Sequence, residues 1–209
     1  MEISFEALKR EDLNEAVELT TRAYENYEYF TIFFPNADEC RKAIRSIIDR
    51  AWRTVLSRTN FFAAKVNGKI VGVAQLDAPH YERPPVFVYV LHGWFLVYLS
   101  AKIKHINDWV TMDEASGKPC HDYQKSGEGI WYCNTITVEP SFQGKGVGTK
   151  LIEFMGQYAR ERGGKQLVLF TNSEKNLAFY KNRGFEVFDE REIHHDGKKI
   201  GSWSVKKSL

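Results

Sequence analysis

A strand that runs into a glycine-rich turn and then into a helix constrains this chain more than any other stretch. Trp131 to Val138 reads as a strand and Glu139-Pro140 ends it. Gln143-Gly144-Lys145-Gly146-Val147-Gly148 then leads into a helix carrying Leu151, Ile152, Met155, Tyr158 and Ala159 at helical spacing. The first amides of a helix have no partner within it, and the helix dipole is positive there, so such a junction attracts anions, phosphate above all. Glycines let a ligand approach the backbone, while Lys145 and Lys150 add charge at the rim. A glycine turn also serves simply to join strand to helix tightly, so the ligand must be argued from more than the turn.

Two familiar nucleotide loops do not fit these residues. A P-loop needs Gly-Lys followed by a hydroxyl residue, whereas Lys150 follows Thr149 and precedes Leu151. A dinucleotide fingerprint needs a third glycine three positions after its second; Thr149 stands there, the glycines being at 144, 146 and 148.

The remaining pattern alternates strands with helices. Ile3, Phe5 and Ala7 alternate with polar residues, and Leu13, Ala16, Val17 and Tyr24 follow at helical spacing behind Asp12, a plausible cap. Ala43, Ile44, Ile47, Ile48, Ala51 and Val55 form the apolar stripe of a second helix. Phe61 to Val66 and Lys69 to Leu76 flank Asn67-Gly68, whose tolerance of positive φ marks a hairpin. From Asp77 to Gly129 regularity fades among Pro79, Pro84, Pro85 and Pro119, and the segment reads as an insertion with some helix. After the glycine turn come a buried strand at Leu167 to Phe170, a helix at Glu174 to Asn182 stopped by Gly184, and a strand pair about Asp196-Gly197. No repeat or low-complexity linker divides these pieces, so residues 1–209 are expected to form one mixed-sheet α/β domain.

Composition narrows the partners. With 209 residues, 43% of them hydrophobic, the chain can bury a sizeable core. Its 29 basic against 27 acidic residues, with no basic block interleaved with aromatics, point away from nucleic acid. Cys40, Cys120 and Cys133 are odd in number and widely spaced, which suits reduced thiols in a cytoplasm. Glu2, Glu6 and Glu11 do not resemble a secretory signal. The apolar run Val86 to Leu99 is shorter than the ~20 residues of a membrane span and is interrupted by His92 and Gly93, so no membrane is expected. His194-His195 on a strand would point to opposite faces, and no third ligand is evident, so no metal is expected.

With these residues in place the sequence resembles the GCN5-related N-acetyltransferase superfamily. That family's acetyl-CoA loop, Gln/Arg-x-x-Gly-x-Gly/Ala, is matched by Gln143, Gly146 and Gly148. Ile136 to Pro140 resembles its fourth strand and turn, and Asn176 to Phe185 its Asn-x-x-x-Tyr helix ending in Gly-Phe. Local similarity over Trp131 to Phe188 leans toward the small-molecule, antibiotic-acetylating branch that includes puromycin acetyltransferase. The resemblance implies about seven strands, a splayed central parallel pair, and helices on both faces. It further implies that Ile136, Thr137 and Val138 pair with the pantetheine arm and that amides from Gly144 through Lys145, Gly146, Val147 and Gly148 to Thr149 hold the pyrophosphate. Asn172, Asn176 and Tyr180 complete the cofactor set, with Tyr180 protonating the departing thiolate.

The reaction so implied is direct attack of a neutral amine on the acetyl thioester, which needs a base for the amine, support for an oxyanion, and an acid for sulfur. Asn176 and Tyr180, four apart, share a helix face, although tyrosine there also serves packing alone. For the base the candidates are Glu128, ahead of the strand, and Tyr132, at the position where some family members carry a glutamate. Their ordinary readings are a solvated loop carboxylate and a core aromatic. Where the puromycin-type branch tends to carry a glutamate on its fifth strand, this chain has Phe170. Cys133 as an acyl carrier would want a histidine partner, and none stands beside it.

Three functions remain open for a chain expected to act as monomer or homodimer: transfer to a small-molecule amine, transfer to a protein or peptide, and non-catalytic acyl-CoA binding. The aromatics Tyr81, Phe87, Tyr89, Trp94, Phe95 and Tyr98 suggest that residues 77–129 fold over the acceptor side, or else extend the core or a dimer contact.

Overall fold

Seven strands pair into one sheet. The computed structural model describes all 209 residues. In chain order the strands are β1 (Ser4–Ala7), β2 (Asn60–Val66), β3 (Lys69–Asp77), β4 (Ile130–Val138), β5 (Gln166–Thr171), β6 (Glu186–His195) and β7 (Lys198–Ser208), and across the sheet they run β1-β2-β3-β4-β5-β7-β6. Hairpin turns fall where expected, with Asn67 at φ 50° and Gly68 at 78°, and Asp196 at 46° and Gly197 at 75°. The mixed α/β class and the seven-stranded sheet thus agree with the expectation from sequence.

β4 and β5 are the parallel pair, and they stay together for only three residues, Ile130 to Tyr132 against Gln166 to Val168. Beyond Tyr132 they part, β4 continuing with β3 alone and β5 with β7 alone. A bulge marks the parting: Gln75 faces Thr135 and Leu76 faces Cys133, so Asn134 is an extra residue in β4. One extra residue reverses the alternation of side chains. Trp131 and Cys133 enter one core before the bulge, and Ile136 and Val138 pack against that same core after it.

Helices cover both faces. On one side α1 (Leu13–Tyr24), the single turn α2 (Glu28–Thr31) and α3 (Ala37–Val55) bury Leu13, Phe30, Ile44 and Trp52 against β2 and β3, with Phe34 added from the loop ahead of α3. On the other α6 (Val147–Arg160) buries Leu151, Ile152 and Met155 beside Phe62 and Leu76, and α7 (Glu174–Lys181) adds Tyr180. Asn36 caps α3 by accepting the Glu39 amide at 2.9 Å, whereas Asp12 makes no side-chain cap and instead accepts Lys65 Nζ at 3.2 Å. A lysine from the neighbouring strand outcompetes the helix amides for that carboxylate.

The segment between β3 and β4 is more helical than its sequence suggests. It contains α4 (Val86–Leu91), a 3-10 turn at Trp94–Leu99, and α5 (Ile103–Lys125), which lies against β4, β5 and β7. Gly93, at φ 84°, breaks the apolar run, and no helix is long and apolar enough to cross a membrane. Tyr89, Trp94 and Tyr98 pack on the α1/α3 core, while Phe87 and Phe95 stay exposed with Val86, Leu91 and Leu99. Pro119 sits inside α5 and cannot donate to the Ala115 carbonyl, which instead accepts Arg191 Nη1 at 3.4 Å.

Candidate active site

The glycine turn delivers the free donors that its sequence implies. Gly144 and Gly146 adopt φ 75° and 83°, conformations costly for residues with a Cβ, and Gly146 starts α6. No atom lies within 4 Å of where a Cβ would stand on either glycine, so the backbone there faces open space. The amides of Gly144, Gly146, Val147, Gly148 and Thr149 find no backbone acceptor, whereas Lys145 and Lys150 donate back to Phe142 and Gly146. Gln143 is exposed, and its Nε2 donates to the Val138 carbonyl at 3.2 Å, which ties the turn to β4. Arg183 adds a charge that sequence reading missed, its Nε and Nη2 donating to Thr149 Oγ1 at 3.0 and 2.6 Å while its plane lies over Phe179 at 3.6 Å.

From that turn the wedge between β4 and β5 leads inward. Because β4 loses β5 beyond Tyr132, β3 is the only strand that pairs with Ile136, Thr137 and Val138. An extended arm can therefore pair there as an added strand. Thr137 points its hydroxyl to Thr20 at 3.1 Å, and a two-point Arg22 to Glu139 pair, 2.7 and 3.2 Å to Oε2, fixes α1 to the end of β4.

Tyr180 is buried at 6% exposure, edge-on to Phe179 and Phe185 at 5.3 and 5.5 Å. Burial, reinforced by the nearby Cys133, Tyr27 and Tyr24, holds its phenol well above the usual range, so it stays protonated. Tyr27 joins the two sides of the wedge: its hydroxyl accepts the Asn172 amide at 3.0 Å, lies 3.4 Å from Thr171 Oγ1, and is faced by Asn176. Asn172 donates Nδ2 to the Gly201 carbonyl at 2.9 Å, and its buried Oδ1 has no partner. Asn172, Asn176 and Tyr180 are thus brought together.

On the opposite face lies a polar cluster that only folding assembles. Tyr132, 1% exposed, packs against His121 at 4.7 Å, and burial pushes its phenol well above the ordinary value. It is protonated, so it can relay a proton but is no free base. Asp77, fully buried, accepts Thr59 Oγ1 at 2.5 Å, Gln75 Nε2 at 3.1 Å and the bulge residue Asn134 at 3.3 Å. Desolvation still raises its carboxyl, against those three donors. Asp113 of α5 accepts the Tyr29 hydroxyl, and burial raises it too. Burial holds the His121 imidazole down at about 3, with Arg83 and Lys125 adding to the effect. Glu128 does not join them: it is exposed ahead of Ile130, and the strand from Ile130 to Asn134 alone spans about 13 Å.

Cys133 is buried, and burial raises its thiol, with Asp77 and Cys120 adding to it, so the thiolate that nucleophilic catalysis needs is disfavoured. His194 pairs with Glu192 at 2.9 Å, and His195 packs on Phe33 at 4.4 Å. Beside the wedge, an open polar groove of about 850 Å³ is bounded by Tyr27, Glu28, Asn172, Glu174, Arg191 and Trp203 among others.

Three signals for the missed residues were present but weak. Tyr24, Tyr27 and Tyr29 form an aromatic string from the end of α1 onward; Trp109, Asp113, Gly117 and His121 recur every fourth residue; and Arg183 sits in the loop behind α7. The bulge had no signal, since Cys133, Asn134 and Thr135 fit a regular strand equally well.

Comparison with known proteins completes the picture. The model of the acetyltransferase (GNAT) family matches residues 14–185. An uncharacterized N-acetyltransferase of Methanocaldococcus jannaschii is 23% identical over 186 residues, 88% of this chain and 59% of that protein. A glucosamine 6-phosphate N-acetyltransferase of Trypanosoma brucei brucei is 31% identical over 74 residues, 35% of this chain and 49% of that one. The chain therefore spans about half the length of these curated relatives. Among solved structures, the PaiA N-acetyltransferase from Thermoplasma acidophilum in complex with coenzyme A superposes with TM-score 0.62 at 13% identity, covering 100% of both chains. A histone acetyltransferase HPA2 and related acetyltransferase from Corynebacterium glutamicum gives 0.63 at 19%, over 99% of this chain and 96% of that one. Such likeness carries the fold, and the match over residues 14–185 carries the membership: the chain belongs to the acetyltransferase (GNAT) family.

Proposed function

We propose that this chain is an acetyl-CoA-dependent N-acetyltransferase that passes the acetyl group directly to a primary amine of a small molecule. The observation that carries this reading is the continuous path from five free amides at the α6 N-terminus, along the unpaired edge of β4, to the protonated Tyr180. Amides of Gly144 to Thr149 suit a pyrophosphate, with Lys145, Lys150 and Arg183 supplying charge. The edge of Ile136, Thr137 and Val138 suits an amide-bearing arm, and Asn176 and Asn172 suit its far side. Bound acetyl-CoA would supply an activated thioester. Tyr180 then gives sulfur its proton, and the raised thiol of Cys133 supports direct transfer over an acyl-enzyme.

The small-molecule acceptor draws support from α5, which lies over the sheet opening, from the local similarity of Trp131 to Phe188 to the antibiotic-acetylating branch, and from the amino-sugar relative. Phe170, in place of that branch's glutamate, implies a different acceptor from puromycin. Three buried, unpaired thiols support a reducing cytoplasm, with the protein acting as monomer or homodimer without nucleic acid or membrane. A protein or peptide acceptor is the second reading, favoured by the open polar groove beside Tyr27 and Asn172. The test is a thermal-shift titration with acetyl-CoA, followed by free-thiol release across panels of small amines and N-terminal peptides. Absence of an acetyl-CoA shift removes the reading. A shift with no turnover favours a binding module, and turnover of peptides alone favours the second reading.

A further inference from the structure

Apart from Met1, every large hydrophobic side chain that stands in solvent falls between Val86 and Ile103, seven in all, with Leu91 and Leu99 the barest at 77% and 79% exposure. They lie on α4, on the 3-10 turn Trp94–Leu99 and at the first residue of α5, elements that pack on one another and on α3. Gly93, at φ 84°, joins α4 to that turn beside Arg50 of α3, which lies 3.4 Å from where a Cβ on the glycine would stand. None of the six residues of α4 is fully buried. A helix that short is not stable by itself, so packing must hold it, and Tyr89 alone of α4 packs on the α1/α3 core. The outward side of α4 lacks the partner that its inward side has.

Size and charge together point to what covers this face. At roughly 100 Å² for each such side chain, the seven present on the order of 700 Å², above the ~300–600 Å² of the largest apolar patch on an ordinary monomer. With the half-buried Trp94 and Tyr98 of the same turn the face reaches the ~800 Å² that each side of a stable protein–protein interface buries. From Pro84 to Ala101 there is no Asp, Glu, Lys or Arg, in a chain that is 27% charged. In a two-fold contact the same surface meets itself, so a charge on it faces its own sign, and a face without formal charge avoids that repulsion. A lipid surface asks for the opposite, a cluster of ~4–8 free cations beside the apolar residues. Here Lys104 is paired with Asp108 at 2.7 Å, Arg50 with Asp49 at 3.4 Å, and His105 bonds Glu39 at 2.9 Å, which leaves Arg83 and Lys102 at the two ends of the segment.

We propose that Val86 to Ile103 form the interface of a homodimer, in which α4 and the Trp94–Leu99 turn pack on the same elements of a second copy about a two-fold axis. The second copy covers the outward side of α4 and holds the segment between β3 and β4 in place in both chains. Such a dimer is independent of the acetyltransferase reading, since none of these residues belongs to the glycine turn, the β4 edge or α7.

Sedimentation velocity on the full chain is the test. At about 50 µM, above the micromolar limit for interfaces of this area, wild type is expected at twice its monomer mass. Leu91→Asp and Leu99→Asp each place a carboxylate at a position exposed in the single chain, so the monomer should fold and keep its circular-dichroism spectrum. Each variant should lose the dimer, because the interface would bury two unpaired charges of one sign, and the dissociation constant is expected to rise about a hundredfold or more. Wild type at monomer mass, or dimers persisting in both variants, overturns the proposal. Pelleting of wild type and not of the variants with phosphatidylglycerol vesicles assigns the face to lipid and also overturns it. Should the aspartate variants not fold, cysteine substitution decides. Cys40, Cys120 and Cys133 are buried, so the accessible thiol is the one introduced by Phe87→Cys, Leu91→Cys, Phe95→Cys or Leu99→Cys. A short bismaleimide should link at least one of these into a covalent dimer and leave Glu153→Cys, exposed on α6 across the sheet, as monomer. No crosslink at any of the four positions, or none exceeding that at Glu153, overturns the proposal.

Discussion

Replacing Tyr180 with phenylalanine separates catalysis from folding unusually cleanly. The ring is 6% exposed and held edge-on by Phe179 and Phe185, contacts that phenylalanine keeps. Its hydroxyl takes no part in a hydrogen bond within the chain, and the causes acting on the phenol are burial and charge alone. Removing it therefore strands no partner, and the change in unfolding free energy should stay below about 1 kcal/mol, the typical net worth of a hydrogen bond that is absent here. Turnover should respond differently, because the phenol matters as sulfur becomes anionic. A general acid contributes ~10²–10⁴-fold, and a thiolate leaves tolerably by itself, so a fall near the lower end is expected, about 10²-fold or 2.7 kcal/mol of barrier. The assay is single-turnover acetyl transfer followed by rapid quench, so that product release does not mask chemistry, with an acetyl-CoA thermal shift in parallel. Since burial raises the phenol above its ordinary value of 10, wild-type turnover should show no falling limb from Tyr180 below that pH. Equal single-turnover rates in the two proteins would refute the role and return Tyr180 to packing.

Gly146→Asp should fold yet lose the acetyl-CoA thermal shift, because the side chain enters the open space at φ 83° and its charge repels a phosphate; retained affinity in circular-dichroism-verified folded protein would remove the pyrophosphate assignment. His121→Phe should improve acid tolerance. The imidazole is depressed to about 3 against 6.5 in the unfolded chain, so the unfolded state takes up its proton first, and stability is lost as pH falls from about 6.5 toward about 3. Urea midpoints should match near pH 8 and diverge below pH ~6, with the phenylalanine variant higher, and parallel curves would contradict the assigned shift.

Much of this molecule was legible because local chemistry dictated it. Asn67-Gly68 and Asp196-Gly197 could form only tight positive-φ turns, and the apolar stripes of α1, α3 and α6 named their buried faces in advance. The turn with its free amides was legible for the same reason: a helix N-terminus exposes unpaired amides whatever surrounds it. Asn176 and Tyr180 could be paired from spacing alone, since four residues along a helix fix their common face. What lay beyond reach came from contacts distant in sequence. Glu128, plausible as a base, sits ahead of β4 in solvent, whereas Asp77 and Asp113, unremarkable in the sequence, are desolvated by elements far along the chain. The bulge at Asn134 depends on how β3 and β4 align, and the parting of β4 from β5 on which partner each strand keeps. Sequence by itself determined the strands and main helices outside residues 77–129, the tight turns and the helix end with unpaired amides, all properties of neighbouring residues. Only the tertiary structure decided which carboxylates lose their water and which strand edge stays unpaired, because desolvation and strand pairing are set by segments that meet in space and not along the chain.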